Sequence, residues 1–381
     1  MFATRAALLF TATRRLFKKD IPLKIREADP WPEGAPFVSV IVPCYNHGQY
    51  VGEAVQSILD QTWQNLEIIV VNDGSTEQET IDILNNFRQP KTRLIHLAQN
   101  MGLPAARNAG IKEAQGKYIC CLDADDKLHP TYIEKAIAAM EANAGISFVW
   151  SWTRVFGIED RVWYTPQFDP YSIMYYNQSN APAVFKKSAW ERAGGYQEDM
   201  QEGAEDWEFW IRLTRYGYRG YRISEKMILV RRMGYSFVHR AAEKMDVLVE
   251  KIRAHNLDLY ENSREKVDKI VNGYCDVYSM APFSNMKSDR HYLNRGTLPK
   301  MVISNAVSER VMELARSMAG TDSPNFIWVS KSALDEKATD LLYELTPYVY
   351  VLPNFLPRYV WDEFVQNLRV VRNVSSVEYL H

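Results

Sequence analysis

The segment "KYICCLDADDKL", residues 117–128, runs six mostly apolar residues into three acids, Asp123, Asp125 and Asp126. Carboxylates this close raise one another's pKa unless positive charge sits among them. With no His or Cys interspersed, such a set suits a hard divalent cation, Mg²⁺ or Mn²⁺. These ions take one or two carboxylates together with substrate phosphate oxygens, and act as Lewis acids on a departing phosphate. Two more polar clusters, "PCYNHG" (43–48) and "NDGST" (72–76), also follow apolar runs. Taken singly, "NDGST" reads as a capping turn and "DADD" as a charged surface turn. Three such clusters at three strand ends favour a site.

The elements that must position them are legible in the hydrophobic pattern. "FVSVIV", "LEIIVV", "TRLIHL" and "KYICCL" are short apolar runs that read as buried strands. Between them "GQYVGEAVQSILDQ", "TIDILNNF" and "LPAARNAGIKEA" carry helical spacing, with Pro104 in a first turn where proline is tolerated. Strands apolar on both faces, alternating with helices, predict an α/β fold: a mostly parallel, doubly wound sheet with flanking helices. Ligands bind beyond the carboxyl ends of such strands. Tyr45, Asn46, Asp73, Asp123 and Asp125 are thereby expected in one crevice, with Asp73 placed to accept hydrogen bonds from a base or ribose.

At 381 residues the chain exceeds what one compact core fills. The reading divides it into a basic arm and proline-rich linker (1–36), a main α/β domain (37–240), a helical extension (241–295) and a C-terminal α/β unit (296–381). That last unit alternates strand and helix through "KMVISNA", "NFIWVS", "YVYVL" and "RVVRNV". It has no Gly-rich phosphate loop and reads first as a packing or interaction module. It also fits half of a nucleotide-binding-like domain, in a chain that could be a shortened one. In the arm, Phe2, Leu9, Phe10, Leu16 and Phe17 fall opposite Arg5, Arg14, Arg15, Lys18 and Lys19 on a helical wheel. Residues 1–19 therefore suit peripheral contact with an anionic membrane, or packing on the protein itself. Lys+Arg (45) and Asp+Glu (47) nearly cancel, which argues against a nucleic-acid partner. The four cysteines follow no zinc spacing, and Cys120 and Cys121 sit in an apolar run that reads as core. A cytoplasmic setting, peripheral at the inner face of a membrane through the arm, is expected.

Three stretches taken together carry a resemblance. "VSVIVPCYNHGQYVGEAVQSILDQTWQNLEIIVVNDGST", "NMGLPAARNAGIKEAQGKYICCLDADD" and "GAEDWEFWIRL" resemble the family 2 inverting glycosyltransferases of the GT-A fold, over roughly residues 37–235. The resemblance implies a nucleoside cradle around Pro43, Tyr45 and Asp73. It makes Asp123 the first acid of a DxD motif, on ribose or metal, and Asp125 the metal ligand, with Asp126 behind them. It borders the donor site with Arg107 and Asn108 of the "ARN" signature. It assigns the general base to Asp206 of the "ED" pair, with Glu205 orienting the base or the acceptor. In "RRMGYSFVHR" it offers His239 and Ser236 near the metal or diphosphate, although a lone histidine is more often structural. The implied reaction is metal-assisted transfer, with inversion, from a nucleotide-diphosphate sugar, in the first instance a UDP-sugar. The implied acceptor is a glycan or a lipid-linked molecule in cell-surface polysaccharide synthesis. A sugar-nucleotidyltransferase, and a nucleotide-sugar-binding scaffold without catalysis, are the competing readings; the first expects a Gly/Arg-rich loop that "PCYNHGQY" does not supply.

Overall fold

The structure, a computed structural model, describes residues 37–234, 237–261, 300–304, 326–372 and 374–380, with residues 313, 316 and 317 singly. The basic arm, Ser236, Cys275 and most of the expected helical extension lie outside the described residues. Strands β1 (Val38–Cys44), β2 (Leu66–Asn72), β3 (Thr92–His96) and β4 (Tyr118–Cys121) alternate with helices α1 (Gly48–Leu59), α2 (Gln78–Asn85) and α3 (Leu103–Glu113). β1 pairs in parallel with β2 and β4, and β2 with β3, so all four carboxyl ends point the same way. Every residue of β1 and β4 is buried, as expected of strands covered on both faces. Pro43 interrupts no ladder bond there, because β4 pairing stops at Ile41, two residues earlier.

The chain continues through β5 (Lys127–Leu128), α4 (Tyr132–Ala142), β6 (Ile146–Gly157), β7 (Arg161–Trp163), β8 (Val184–Lys186), α5 (Lys187–Ala193), α6 (Glu205–Thr214) and β9 (Arg219–Arg232). These strands extend the sheet to the order β3-β2-β1-β4-β8-β6-β9-β5, with β7 on β6. β8 runs antiparallel to both β4 and β6, and β5 to β9, so this half is mixed while the first half is purely parallel. α1, α2 and α4 pack one face through a core that includes Val55, Ile58, Leu84 and Ile137. α3, α5 and α6 pack the other, with Ile111, Trp190, Phe209 and Trp210. That second core also takes Ala241, Leu248 and Leu259 from α7 (Phe237–Glu243), α8 (Met245–His255) and α9 (Leu257–Tyr260).

The C-terminal unit holds β10 (Lys300–Ser304), β11 (Phe326–Ser330), α10 (Glu336–Leu345), β12 (Val349–Val351), α11 (Trp361–Val371) and β13 (Ser376–Leu380). Its four strands are parallel, in the order β12-β11-β10-β13. The sequence expectation of four strands holds, but the fourth is displaced. "RVVRNV" ends α11 because Phe364, Val365 and Leu368 continue a helical stripe to the buried Arg372, and the strand forms later at "SVEYL".

The two sheets share one core. α4 is apolar nearly all round, the mark of a helix buried on all sides, and two of its three charged residues, Glu134 and Lys135, are buried with it. Buried charges need partners. Glu134 accepts hydrogen bonds from Thr62 Oγ1 (2.7 Å), Tyr350 Oη (2.8 Å) and Arg372 Nη2 (2.7 Å). Lys135 Nζ donates to Glu225 Oε2 and to Tyr343 Oη, each at 2.8 Å, and Tyr343 in turn donates to Glu225. Arg372, Tyr350 and Tyr343 all belong to the C-terminal unit, which is thereby bolted to the back of the main sheet. Replacing Arg372 with Met should leave the Glu134 carboxylate short of its cation and cost about 3–5 kcal/mol. Urea denaturation reads this, and a loss under about 1 kcal/mol would mean that the network contributes little to the union.

Candidate active site

Three carboxyl ends converge through side chains that join one loop to the next. Asn46, after β1, adopts a left-handed φ of 55°. Its Oδ1 accepts the backbone N–H groups of Thr76 (2.8 Å) and Glu77 (3.1 Å), and so ties the loop after β1 to the residues that lead into α2. Asn72 Oδ1 accepts from Ser75 N at 3.0 Å and closes the "NDGST" turn. Gly74 makes that turn possible: at φ 63°, a Cβ would lie 2.3 Å from the carbonyl carbon of Gln99. Asp73, nearly fully buried, accepts from Met101 N (2.8 Å) and Gly102 N (3.0 Å). Burial lifts its pKa and the two amides oppose the lift. Tyr45 stands beside this frame with 43% of its surface exposed.

The acidic knot follows β4. Asp126 N donates to Asp123 O at 3.0 Å, a turn that sets the three carboxylates apart. Asp126 is buried and accepts Arg231 N at 2.8 Å; burial, then Asp125 and Asp123, drive its pKa well up. Asp123 and Asp125 keep 35% and 18% of their side chains exposed. Asp125 has its pKa raised by burial first and the neighbouring Asp123 second. Two neighbours of the knot escaped the sequence reading. His47 Nδ1 lies 3.9 Å from Asp125 Oδ2. Arg231, at the end of β9, donates from Nε to Asp125 O (3.0 Å) and from Nη2 to Glu53 Oε2 (2.9 Å). His47 was visible inside "PCYNHG", whereas Arg231 becomes a neighbour only because β9 pairs with β5 immediately after the knot.

Arg107 is the hub. With 1% of its side chain exposed, it donates from Nη2 to Asp123 Oδ1 at 2.8 Å and from Nη1 to Glu205 Oε1. One guanidinium thus joins the end of β4 to the start of α6, and both carboxylates raise the Arg107 pKa against the effect of burial. Asn108 faces elsewhere. Its Nδ2 donates to Tyr196 O and Glu198 Oε1, and its Oδ1 accepts from Trp190 Nε1 and Tyr196 N, which fills its hydrogen-bonding capacity. The ARN pair therefore builds the frame of the site.

The residue that precedes α6, Ala204, is a non-glycine held at φ 59°. That strain is localised one residue before the ED pair, where backbone outliers commonly cluster at functional sites. Glu205 is buried, and burial lifts its pKa to about 7 although Arg107 pulls it down. Asp206 remains partly exposed. Its Oδ1 accepts Trp207 N (2.7 Å) and its Oδ2 accepts Asn177 Nδ2 (3.2 Å), a partner from the loop between β7 and β8 that the sequence did not reveal. Burial raises the Asp206 pKa, opposed by Arg107, Asn177 and Trp207 N. Trp207 is packing: its Nε1 donates to Ile173 O. His239 lies exposed on α7, and among the described residues no group of three or more His, Cys, Asp or Glu stands ready to hold a metal. The carboxylates of Asp123 and Asp125 alone, adjacent hard oxygen donors that both reach solvent, fit a dication that takes its other ligands from substrate and water.

Comparison with known proteins agrees with this architecture. Residues 39–196 match the sequence model of a family described as "Glycosyl transferase family 2". An uncharacterised glycosyltransferase of Haemophilus influenzae is 28% identical over 262 residues, covering 63% of this chain and 79% of its own length. One from Methanocaldococcus jannaschii is 30% identical over 206 residues, covering 51% and 70% respectively. A crystal structure of S. aureus TarS in complex with UDP-GlcNAc shares the fold, with a TM-score of 0.51 at 20% identity, over 62% of this chain and 70% of that one. The chain belongs to glycosyl transferase family 2 and has its GT-A architecture. It is a transferase of the kind that passes the sugar of a nucleotide-sugar to an acceptor.

Arg107→Met should strand two carboxylates, costing about 3–5 kcal/mol in denaturation and all measurable transfer. Arg107→Lys should fold but lose about 100-fold in turnover, because a point charge cannot hold both acids in one plane. A Met variant with ordinary stability and turnover would show that the acids are placed by something else.

Proposed function

We propose that this crevice performs metal-assisted, inverting transfer from a UDP-sugar to a glycan or lipid-linked acceptor, with Asp206 as general base. The observation that carries the reading is the Arg107 bridge, which ties the DxD strand end to the helix that presents Asp206. The matched family segment ends at residue 196, so the bridge also couples the recognisable donor half to the ED pair beyond it. Support for UDP comes from TarS, a protein of the same fold solved with UDP-GlcNAc. Asp123 and Asp125 are the residues that would hold Mg²⁺ or Mn²⁺, whose chemistry is neutralisation of charge on the departing diphosphate.

The acceptor hydroxyl loses its proton to an Asp206 carboxylate oxygen as its own oxygen bonds to the anomeric carbon. The bond from that carbon to the diphosphate breaks on the opposite face, and the leaving group departs as UDP. Asn177 and Trp207 N fix the carboxylate plane for this attack. Glu205, held by Arg107, positions its neighbour. The exposed Tyr45 and the loop organised by Asn46 and Asp73 are the donor side of the crevice. The basic arm over residues 1–19 fits work beside an anionic membrane, at the cytoplasmic face where nucleotide-sugars are supplied.

Asp206→Asn should abolish transfer while Mn²⁺-dependent UDP binding, read by calorimetry, stays within about threefold. Asp125→Ala should do the converse and weaken UDP binding only when metal is present. Strong residual turnover in the Asn variant would remove Asp206 as base.

The pH profile offers an independent check. A base works ionised, so kcat/KM falls as pH drops through its pKa, and the raised pKa of Asp206 puts that limb above the usual carboxylate value of about 3.9. Asn177→Ala removes a hydrogen bond to the charged form, so the limb should move to still higher pH. An unmoved limb would separate Asn177 from the base.

A further inference from the structure

The C-terminal sheet repeats the strand order of the parallel half of the main sheet: first strand central, second and third to one side, fourth to the other. In such sheets the carboxyl edge is where ligands sit. At that edge lies a cavity of about 560 Å³, lined by Lys331 and Ser332 directly after β11, and by Arg358, Trp361 and Asp362 where the chain enters α11. The volume is that of a small-molecule site. Its polar groups are not balanced. Lys331 Nζ is paired to Asp362 Oδ1 at 2.6 Å, whereas Arg358, exposed, has no acidic partner among the described residues. Two cations against one acid leave net positive charge at the mouth. The Trp361 indole is fixed by donation from Nε1 to Leu356 O at 3.0 Å, so its ring is held rather than free to turn. On the neighbouring strand, Ser304, in register with Ser330, is fully buried with an Oγ that has no hydrogen-bond partner among the described residues. A buried hydroxyl without a partner needs an account, and this one stands at the reversal of strand order between β10 and β13.

We propose that this cavity is a second saccharide site, for a sugar ring bearing a carboxylate or phosphate. Arg358, with Lys331 behind it, takes the anion in charge-assisted hydrogen bonds. The fixed indole face of Trp361 takes the apolar side of the ring. The site lies on a different sheet from Asp123 and Asp206, and it does not rest on the assignment of Asp206 as base. A transferase with such a site would hold an acidic glycan at a distance from the reacting end.

The test is calorimetry on the whole chain, with UDP and Mn²⁺ at saturation to occupy the crevice of the main sheet. The probes are a glucuronate-containing tetrasaccharide, glucose 6-phosphate, a neutral N-acetylglucosamine tetrasaccharide and inorganic phosphate. At least one of the two anionic sugars should bind, which also tells carboxylate from phosphate, with the neutral chain about tenfold weaker or worse. Arg358→Gln, at an exposed position, should leave folding intact and weaken the anionic probe by about tenfold, and Trp361→Leu by a similar factor. Four results would overturn the proposal: no binding of either anionic sugar, equal binding of the neutral chain, an affinity untouched by Arg358→Gln, or inorganic phosphate binding as tightly as the sugars. Because UDP and Mn²⁺ are present throughout, failure here would leave the donor site and its base unaffected.

Discussion

A single buried guanidinium holds the site together. Arg107 reaches Asp123 with one nitrogen and Glu205 with another, and has almost no contact with water. In a low-dielectric interior a cation between two carboxylates is tolerated only with close geometry. The arrangement therefore fixes two distant pieces of chain, the end of β4 and the start of α6, to a common point. Each carries a second acid that faces outward: Asp125 on one side, Asp206 on the other. The acid that Arg107 holds in each pair, Asp123 or Glu205, sets the position of its neighbour.

The same division of labour runs through the rest of the crevice. Asn46, Asp73 and Asn72 use their polar atoms on neighbouring backbone, joining the ends of β1, β2 and the approach to α3. Asp126 accepts the backbone of β9 and so stitches the knot to the far half of the sheet. The groups left wholly or partly open to solvent, Tyr45, Asp123, Asp125 and Asp206, are few and stand on a frame built by hydrogen bonds. Such preorganisation lets a polar site act without rearranging as charge develops.

How far this could be read from sequence depends on the range of the interaction. The first four strands and their helices are set by local apolar runs, and these were legible; the DxD acids and the ED pair stand out in the sequence by an order and spacing that resemble a known family. The roles of Arg107 and Asn108 were not legible. A short "ARN" string says nothing about burial, and only the packing of α3 against the Tyr196 loop and α6 shows that both side chains face inward. Asn177 and Arg231 lie 29 and 105 residues from the acids they serve, on elements brought near by sheet pairing. The end of α11 was misread because paired valines in "RVV" favour strand locally, while the stripe from Phe364 to Arg372 follows a helical period that tertiary burial enforces. The charges of α4 were the overlooked clue: a helix with Glu134 and Lys135 amid alanines implies that oppositely charged and hydroxyl-bearing partners arrive from elsewhere in the chain.

That clue bears on where this polypeptide can be divided. Severing it near residue 240 or 261, on the ground that the motifs are then complete, would strip Tyr343, Tyr350 and Arg372 from α4. Lys135 and Glu225 would keep only each other, and Glu134 only Thr62, on a surface otherwise made of alanine, isoleucine and methionine. His129, three residues past the acidic knot, would lose the ring of Tyr343 that now meets it edge-on at 4.6 Å. The excised fragment would carry every recognisable signature of its family and an adhesive back. The minimal unit that behaves as one molecule in solution is therefore longer than the minimal unit that spells out the chemistry.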